Sequence, residues 1–385
     1  MATKNSIDSN IPIESTKGGT QATSLVAYSV VCGSTSGTGA LQSVASVGNA
    51  DEVLVSQGAG SLPVFSPIPT FFSPLASDPT SPAVGDVWYN TTSDLFKGAK
   101  IGAWTTVNSV NTARRTLGGA GTSTSALSFG GFTSAVSAAT EKWDGTNWSS
   151  VNSLNTARSG VGGTGTTADA LSVGGNGSQT TTERWDGTNW TAKTGLNTGT
   201  SDSATAGSAS DALTFGNVSG PTAHTERYSG GGDSWTNKSN MNTARGALGG
   251  TDDAATALSI GGYTGSVSAV TERYDGGGDS WTSKGSLNTA RAYVAASASG
   301  SSSNALSYGG GTGAGGSTEL TVTELYDTVG NSWSTAPSLN AAVRGQGGSS
   351  TSETDALSFT GRNSGGNVSA TESYSSSSII TFTVT

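Results

Sequence analysis

Short apolar runs, cut by glycine and small polar residues, recur along most of this chain. The clearest copy runs from Ala257 to Trp281. Leu258 and Ile260 alternate with Ser259, the period-two pattern of a strand with one buried face. Gly261-Gly262 ends the run, eight variable residues follow, and Thr271-Glu272-Arg273-Tyr274 turns through 275–280 to Trp281. The second half predicts a hairpin with an aromatic residue at each end. Leucines at 127, 171, 213, 258, 306 and 357 mark six copies of the first half, and glutamates at 141, 183, 226, 272, 324 and 372 mark six of the second. A period of 42 to 52 residues built from short strands and glycine-rich turns predicts sheets stacked as propeller blades.

A Gly-Gly doublet followed by a hairpin aromatic and then a tryptophan resembles the kelch motif of β-propellers. Gly130-Gly131, Trp143 and Trp148 carry it, as do Gly174-Gly175, Trp185 and Trp190. Gly261-Gly262, Tyr274 and Trp281 repeat it, as do Gly309-Gly310, Tyr326 and Trp333. Gly216-Asn217 and Thr360-Gly361 depart from the doublet. The resemblance covers residues 100–385 and implies an all-β fold, a six-bladed kelch-like propeller. Trp104 precedes the first leucine block, while Tyr374 has no tryptophan after it. The strand at Trp104 is therefore expected to complete the last sheet and close the ring. Residues 379–384 form a second candidate for that edge. If they take it, residues 87–107 become an irregular seventh blade.

Residues 1–62 hold only short apolar islands, too little to make a core within one chain. The Lys17-Gly18-Gly19-Thr20 and Val53-Leu54-Val55-Ser56 stretches resemble repeated segments in bacteriophage tail-fibre shafts. That resemblance implies an extended oligomerising N-terminal region, expected as a homotrimer, that attaches to tail or baseplate proteins of a virion. Residues 63–99 contain six of the nine prolines and a small hairpin around Val87-Trp88-Tyr89-Asn90, and are expected to form a connector. The implied function is that of a tail-fibre receptor-binding protein that adheres non-covalently to a host surface glycan. A glycan-degrading virion enzyme and a purely structural virion protein are the alternatives.

The formal charge of −9 and the lack of a Lys/Arg run argue against nucleic acid as a partner. The single cysteine, Cys32, gives no disulfide framework. The sequence shows no signal peptide and no stretch apolar enough to insert in a membrane, so a virion location reached from the host cytoplasm is expected.

Arg114, Arg158, Arg245, Arg291 and Arg344 are read as one repeated position, and with the Thr-Glu glutamates they are expected to form architectural Arg–Glu pairs. His224 is the only histidine, which does not suit a multi-histidine metal site, and it is read as a polar loop residue. Asp144, Asp186, Asp275 and Asp327 suit tight turns better than calcium. Neither a metal, a cofactor nor a catalytic residue is expected. The loops between the Gly-Gly and Thr-Glu positions differ in length and sequence, and are expected to share one face. Their residues Phe132, Asn176, Gln179, His224, Tyr263, Glu319, Arg362 and Asn363 are the candidate ligand-binding set, with the Tyr263 ring taken as exposed.

Overall fold

The computed structural model describes residues 31–32, 42–43, 52–55, 64–67, 73–79, 86–100, 102–251, 253–296, 304–352, 354–376 and 378–381. Among them the regular elements are strands, apart from one 3-10 turn at Ala314–Gly316. None is a helix long and apolar enough to cross a membrane. The chain divides into two compact units, Lys100–Ser378 and Met1–Ala99 with Ile379–Thr385.

In the larger unit, four-stranded antiparallel sheets follow one another in a propeller-like, all-β arrangement. The first comprises Gly118–Gly121, Ala126–Phe129, Thr140–Trp143 and Trp148–Val151. The second comprises Gly162–Gly165, Ala170–Val173, Thr182–Trp185 and Trp190–Lys193. The third is built from Ala204–Gly207, Asp211–Asn217, Thr222–Ser229 and Ser234–Lys238. Gly249–Thr251, Leu258–Ile260, Thr271–Asp275 and Ser280–Lys284 make the fourth. Ala295–Ala296, Asn304–Tyr308, Thr323–Asp327 and Ser332–Ala336 make the fifth. The sixth joins Gly347–Ser352, Asp355–Asn363 and Gly366–Ser375 to Ala103–Val107, with Trp104 opposite Tyr374. The competing C-terminal strand, Ser378–Thr381, instead pairs with Leu95–Lys100.

The first strand of each sheet packs against the first strands of both neighbours, and the sixth returns to the first. Crowding there explains the glycines. A Cβ on Gly119 would stand 2.3 Å from the Gly348 carbonyl oxygen, and one on Gly163 would stand 2.6 Å from that of Gly119. The second strands are buried on both faces, Ser128 and Ser259 included, so the one-faced burial expected from Leu258-Ser259-Ile260 does not hold. The reason is the stacking: each sheet is covered by a sheet on either side.

The aromatic residues fill the space between sheets. Phe129 of the first sheet meets Trp190 of the second edge-on at 4.9 Å, and Trp190 also lies 5.5 Å from Trp185. Tyr308 of the fifth sheet meets Trp104 of the sixth, and Phe359 of the sixth meets Trp148 of the first. Buried indoles need a hydrogen-bond partner. Trp190 Nε1 donates to Thr140 Oγ1, Trp235 to Thr182, Trp333 to Thr271, Trp104 to Thr323 and Trp148 to Thr371. The threonine of each of these Thr-Glu pairs thus receives the tryptophan of the following sheet.

In the smaller unit, Ser73–Leu75 lies parallel to Val87–Asn90 at a sheet edge, where Pro74 withholds no ladder hydrogen bond that a neighbour needs. Asp78 accepts hydrogen bonds from Lys97, Asn90 and Trp88, and these hold its carboxyl below the ordinary range. The strands Val31–Cys32 with Gln42–Ser43, and Glu52–Val55 with Val64–Pro67, form two-stranded pairs. The rest of the expected shaft over 1–62 lies outside the described residues.

Candidate functional site

Repeated polar residues divide into those the architecture consumes and those it does not. Glu183 is buried and accepts from the backbone N–H groups of Asn155 and Thr156 at 2.7 and 3.2 Å, and from Arg158 Nη2 at 2.9 Å. Arg158 Nη1 caps the carbonyls of Gly174 and Thr181. Arg114–Glu141, Arg245–Glu272 and Arg291–Glu324 repeat the pair with both side chains buried. These are the expected architectural pairs. Burial pushes Arg245 down to about 10 even though Glu272 opposes the shift.

Two sheets break the rule. In the third, Thr200 replaces the arginine, and His224 Nε2 lies 2.8 Å from Glu226 Oε1 in its place. His224 is therefore a strand residue turned toward the sheet's own glutamate, not the loop residue expected. In the sixth, the residue equivalent to the arginine is Val343. Its carbonyl accepts from Gly310 N as that of Arg158 does from Gly131 N and that of Arg291 from Gly262 N. Arg344 sits one place further on, so its assignment to the architectural set is corrected. It pairs with Glu319 at 3.2 Å instead.

Beyond each arginine position the chain turns through a left-handed residue on its way to the next innermost strand. These residues are Thr116, Gly160, Asp202, Ala247, Tyr293 and Gly345, with φ between 49° and 64°. Each donates its N–H to the carbonyl of the preceding one: Gly160 to Thr116, Asp202 to Gly160, Ala247 to Asp202, Tyr293 to Ala247, Gly345 to Tyr293, and Thr116 to Gly345, at 2.6–3.0 Å. The six bonds close on themselves. A left-handed β-branched or bulky residue is unusual, and the closed ring is what holds Thr116 and Tyr293 there. The ring surrounds a pocket of about 80 Å³. Asp202 lines it, partly exposed, with Ser201 Oγ 3.4 Å away, and burial pushes its carboxyl up to about 6. Tyr293 lines it too, and burial followed by the Asp202 charge raises its hydroxyl.

The variable loops lie on the side of this ring, because they bridge to the segments that carry it: Phe132 to Arg115, Gln179 to Thr200, Tyr263 to Gly246, Gly311 to Ala292 and Arg362 to Arg344. The candidate residues separate on this face. Asn176 exchanges hydrogen bonds with the Ser159 backbone, Gln179 accepts weakly from Thr181, and Asn363 Oδ1 caps Gly365 N. These three serve their own turns. Tyr263 is partly buried, against the expectation of an open ring, and its backbone is pinned to both Gly246 and Val267.

Phe132, Glu319 and Arg362 converge with Arg115 and Asn367, which the sequence did not single out, and with Arg344, which it assigned another role. Arg115 lies over the Phe132 ring at 4.4 Å and donates to Asn367 Oδ1 at 2.8 Å. Asn367 Nδ2 in turn holds the carbonyls of Phe132 and Thr133. Arg344 stands 5.7 Å from the Tyr293 ring. Arg344 and Arg362 exchange backbone hydrogen bonds in both directions, at 3.0 and 2.9 Å, which sets their Cα atoms about 5.5 Å apart. Desolvation, then the charges of Arg362 and Arg344, lower Arg115 from its ordinary value. Three arginines far apart in sequence therefore form one cationic cluster in a chain of net charge −9. Arg344 is misassigned because the asparagine of Asn111-Thr112-Ala113 precedes the architectural arginine by three places, but Asn340 precedes Arg344 by four; Arg115, next to Arg114, has no repeated pattern to mark it.

The turn aspartates do what their composition implies. Asp144 Oδ1 accepts from the backbone of Thr146 and Asn147, and Asp186 repeats this with Thr188 and Asn189. Two larger grooves, of about 380 and 310 Å³, lie by the hairpins of the third and fourth sheets. They repeat the same Arg-Tyr/Lys setting, and in one of them Arg227 is already held by both oxygens of Asp211. No protein-family model matches the chain, and no curated protein matches it.

Proposed function

We propose that this chain is a receptor-binding protein of the tail-fibre type. Residues 100–376 form a six-bladed kelch-like propeller whose loop face adheres, without chemistry, to a glycan on a host surface. The observation that carries the reading is the contrast between strands and loops. The repeated Arg–Glu and Thr–Trp pairs are spent on the sheets, whereas Arg115, Arg344, Arg362 and Phe132, which do not recur in every copy, gather on the loop face. A rigid scaffold that presents non-repeating side chains on one side is built for recognition. Partly exposed aromatic rings beside fixed cations suit a sugar, whose apolar face stacks while its polar edge is hydrogen-bonded. Attachment to a virion through an oligomeric N-terminal region, as a homotrimer, would add avidity to sites that are individually weak. Glycan cleavage is less well supported: it calls for paired carboxylates, and Glu319 on this face is committed to Arg344.

The test is a glycan array probed with the full-length protein, followed by incubation with any polysaccharide it retains. Retention without release of reducing ends is the expected result. New reducing ends would convert the reading to an enzyme, and an array without signal would refute adhesion to glycans.

A further inference from the structure

We infer that the loop face holds an acidic glycan, whose carboxylate or other anionic group sits among Arg115, Arg344 and Arg362 with its sugar ring toward Phe132. This rests on the adhesion reading above and adds the chemical class of the ligand. Three observations lead to it. The first is that the charges do not recur in every copy. The bridges equivalent to Arg344–Arg362 are Arg115–Phe132 in the first sheet, Gly246–Tyr263 in the fourth and Ala292–Gly311 in the fifth; the first carries one charge, and the other two carry none. A repeat protein that needed arginine there to fold would need it in each copy.

The second is electrostatic. Like charges facing each other across a bridge are destabilising, and Arg115 adds a third, since its Nη1 reaches Asn367, the residue opposite Arg362 in the strand pair. Among the described residues only Arg344 of the three has an acidic partner, Glu319; Arg115 is held by a neutral amide. An anion placed between Arg115 and Arg362 turns that repulsion into attraction.

The third is geometric. Arg115 lies over Phe132 and is tethered through Nη1 to Asn367, so its fork is fixed before any ligand arrives. Fixed guanidinium forks suit the planar, two-oxygen geometry of a carboxylate. Three cations are too few for a nucleic-acid backbone, which engages six to ten phosphates in typical complexes. They match a polymer that offers one charge per sugar.

The experiment measures retention of the full-length protein in gels containing polygalacturonate, dextran sulfate, neutral dextran or duplex DNA. Arg362→Gln and Arg115→Gln variants run beside the natural protein, with Arg227→Gln as a control outside the cluster. Retention by an acidic polysaccharide, weakened about tenfold in Arg362→Gln and unchanged in Arg227→Gln, supports the inference. Polygalacturonate retaining more than dextran sulfate identifies a carboxylate, and the reverse order a sulfate- or phosphate-like group. Equal weakening by Arg227→Gln, or none in Arg362→Gln, overturns the site. Stronger retention by DNA overturns the ligand class. If a glycan array shows binding to neutral sugars only, the acidic ligand is refuted while adhesion stands. If it shows no binding to any sugar, both fail. Thermal melting of each variant separates lost binding from lost folding, since among the described residues Arg362 makes only backbone hydrogen bonds.

Discussion

Replacing Arg158 by alanine in the full-length protein should cost about 3–5 kcal/mol of stability, the usual penalty for removing one partner of a buried ion pair. Arg158 is fully buried, and its guanidinium bonds Gly174 O, Thr181 O, Glu183 Oε1 and, at 3.4 Å, Thr156 O. Burial lowers its affinity for the proton and the Glu183 charge partly restores it. Alanine would leave two carbonyls bare and a carboxylate with a side-chain exposure of 1% held only by Asn155 and Thr156. The neighbouring pair Arg184–Asp169 makes the contrast, with side chains exposed by 27% and 42%. Solvent screens such a pair, so Arg184→Ala should cost no more than about 1 kcal/mol. The third sheet suggests a rescue, because Thr200 and His224 there replace the arginine beside Glu226. Arg158→Thr combined with Thr181→His copies that arrangement and should recover about 1–2 kcal/mol relative to Arg158→Ala. Urea unfolding followed by tryptophan fluorescence measures all three variants. A loss below about 1 kcal/mol at Arg158, or equal losses at Arg158 and Arg184, would refute the assignment of the repeated arginines to the architecture.

Trp190→Ala should cost about 3–5 kcal/mol, because it empties the contact between Phe129 and Trp185 and strands Thr140 Oγ1; a surface-like loss in the same urea titration would contradict the packing. Trp104→Ala should match it, while truncation after Ser376 should be milder for the larger unit; the opposite ranking in thermal melts would assign the closing edge to the C-terminal strand. Asp202 has a folded-state carboxyl raised to about 6 from 3.8, so its contribution to stability is fully present below pH 3.8 and is lost as pH rises through 6. Asp202→Asn should therefore stabilise the protein above pH 6 by at most about 3 kcal/mol and flatten its stability between pH 4 and 7; an unchanged pH profile would show that the carboxyl keeps its ordinary hydration at the pocket. Light scattering of the full chain should report a trimer, and a monomer would remove the shaft from the proposed function.

The repeat was legible in sequence because every sheet must solve the same problem. Each second strand is covered on both faces, each hairpin must supply rings to fill the gap to its neighbour, and each buried indole and guanidinium needs a partner. Leucine, Gly-Gly, Thr-Glu and tryptophan recur for those reasons, and Trp104 stood out because its sheet lay at the other end of the chain. The cationic cluster on the loop face was not legible, since nothing in a local pattern tells which loops meet. Arg115, Arg344 and Arg362 belong to three segments, and Arg344 looked like a member of the repeated set until the backbone showed Val343 in that place. His224 looked like a loop residue because the missing arginine that it replaces, at Thr200, is 24 positions earlier. The closed ring of backbone hydrogen bonds was likewise invisible, because Thr116, Asp202, Ala247 and Tyr293 share a left-handed backbone but no side-chain chemistry. Sequence periodicity records what each sheet needs for itself; closure of the six sheets brings unlike residues to one axis, and only the tertiary structure decides which they are.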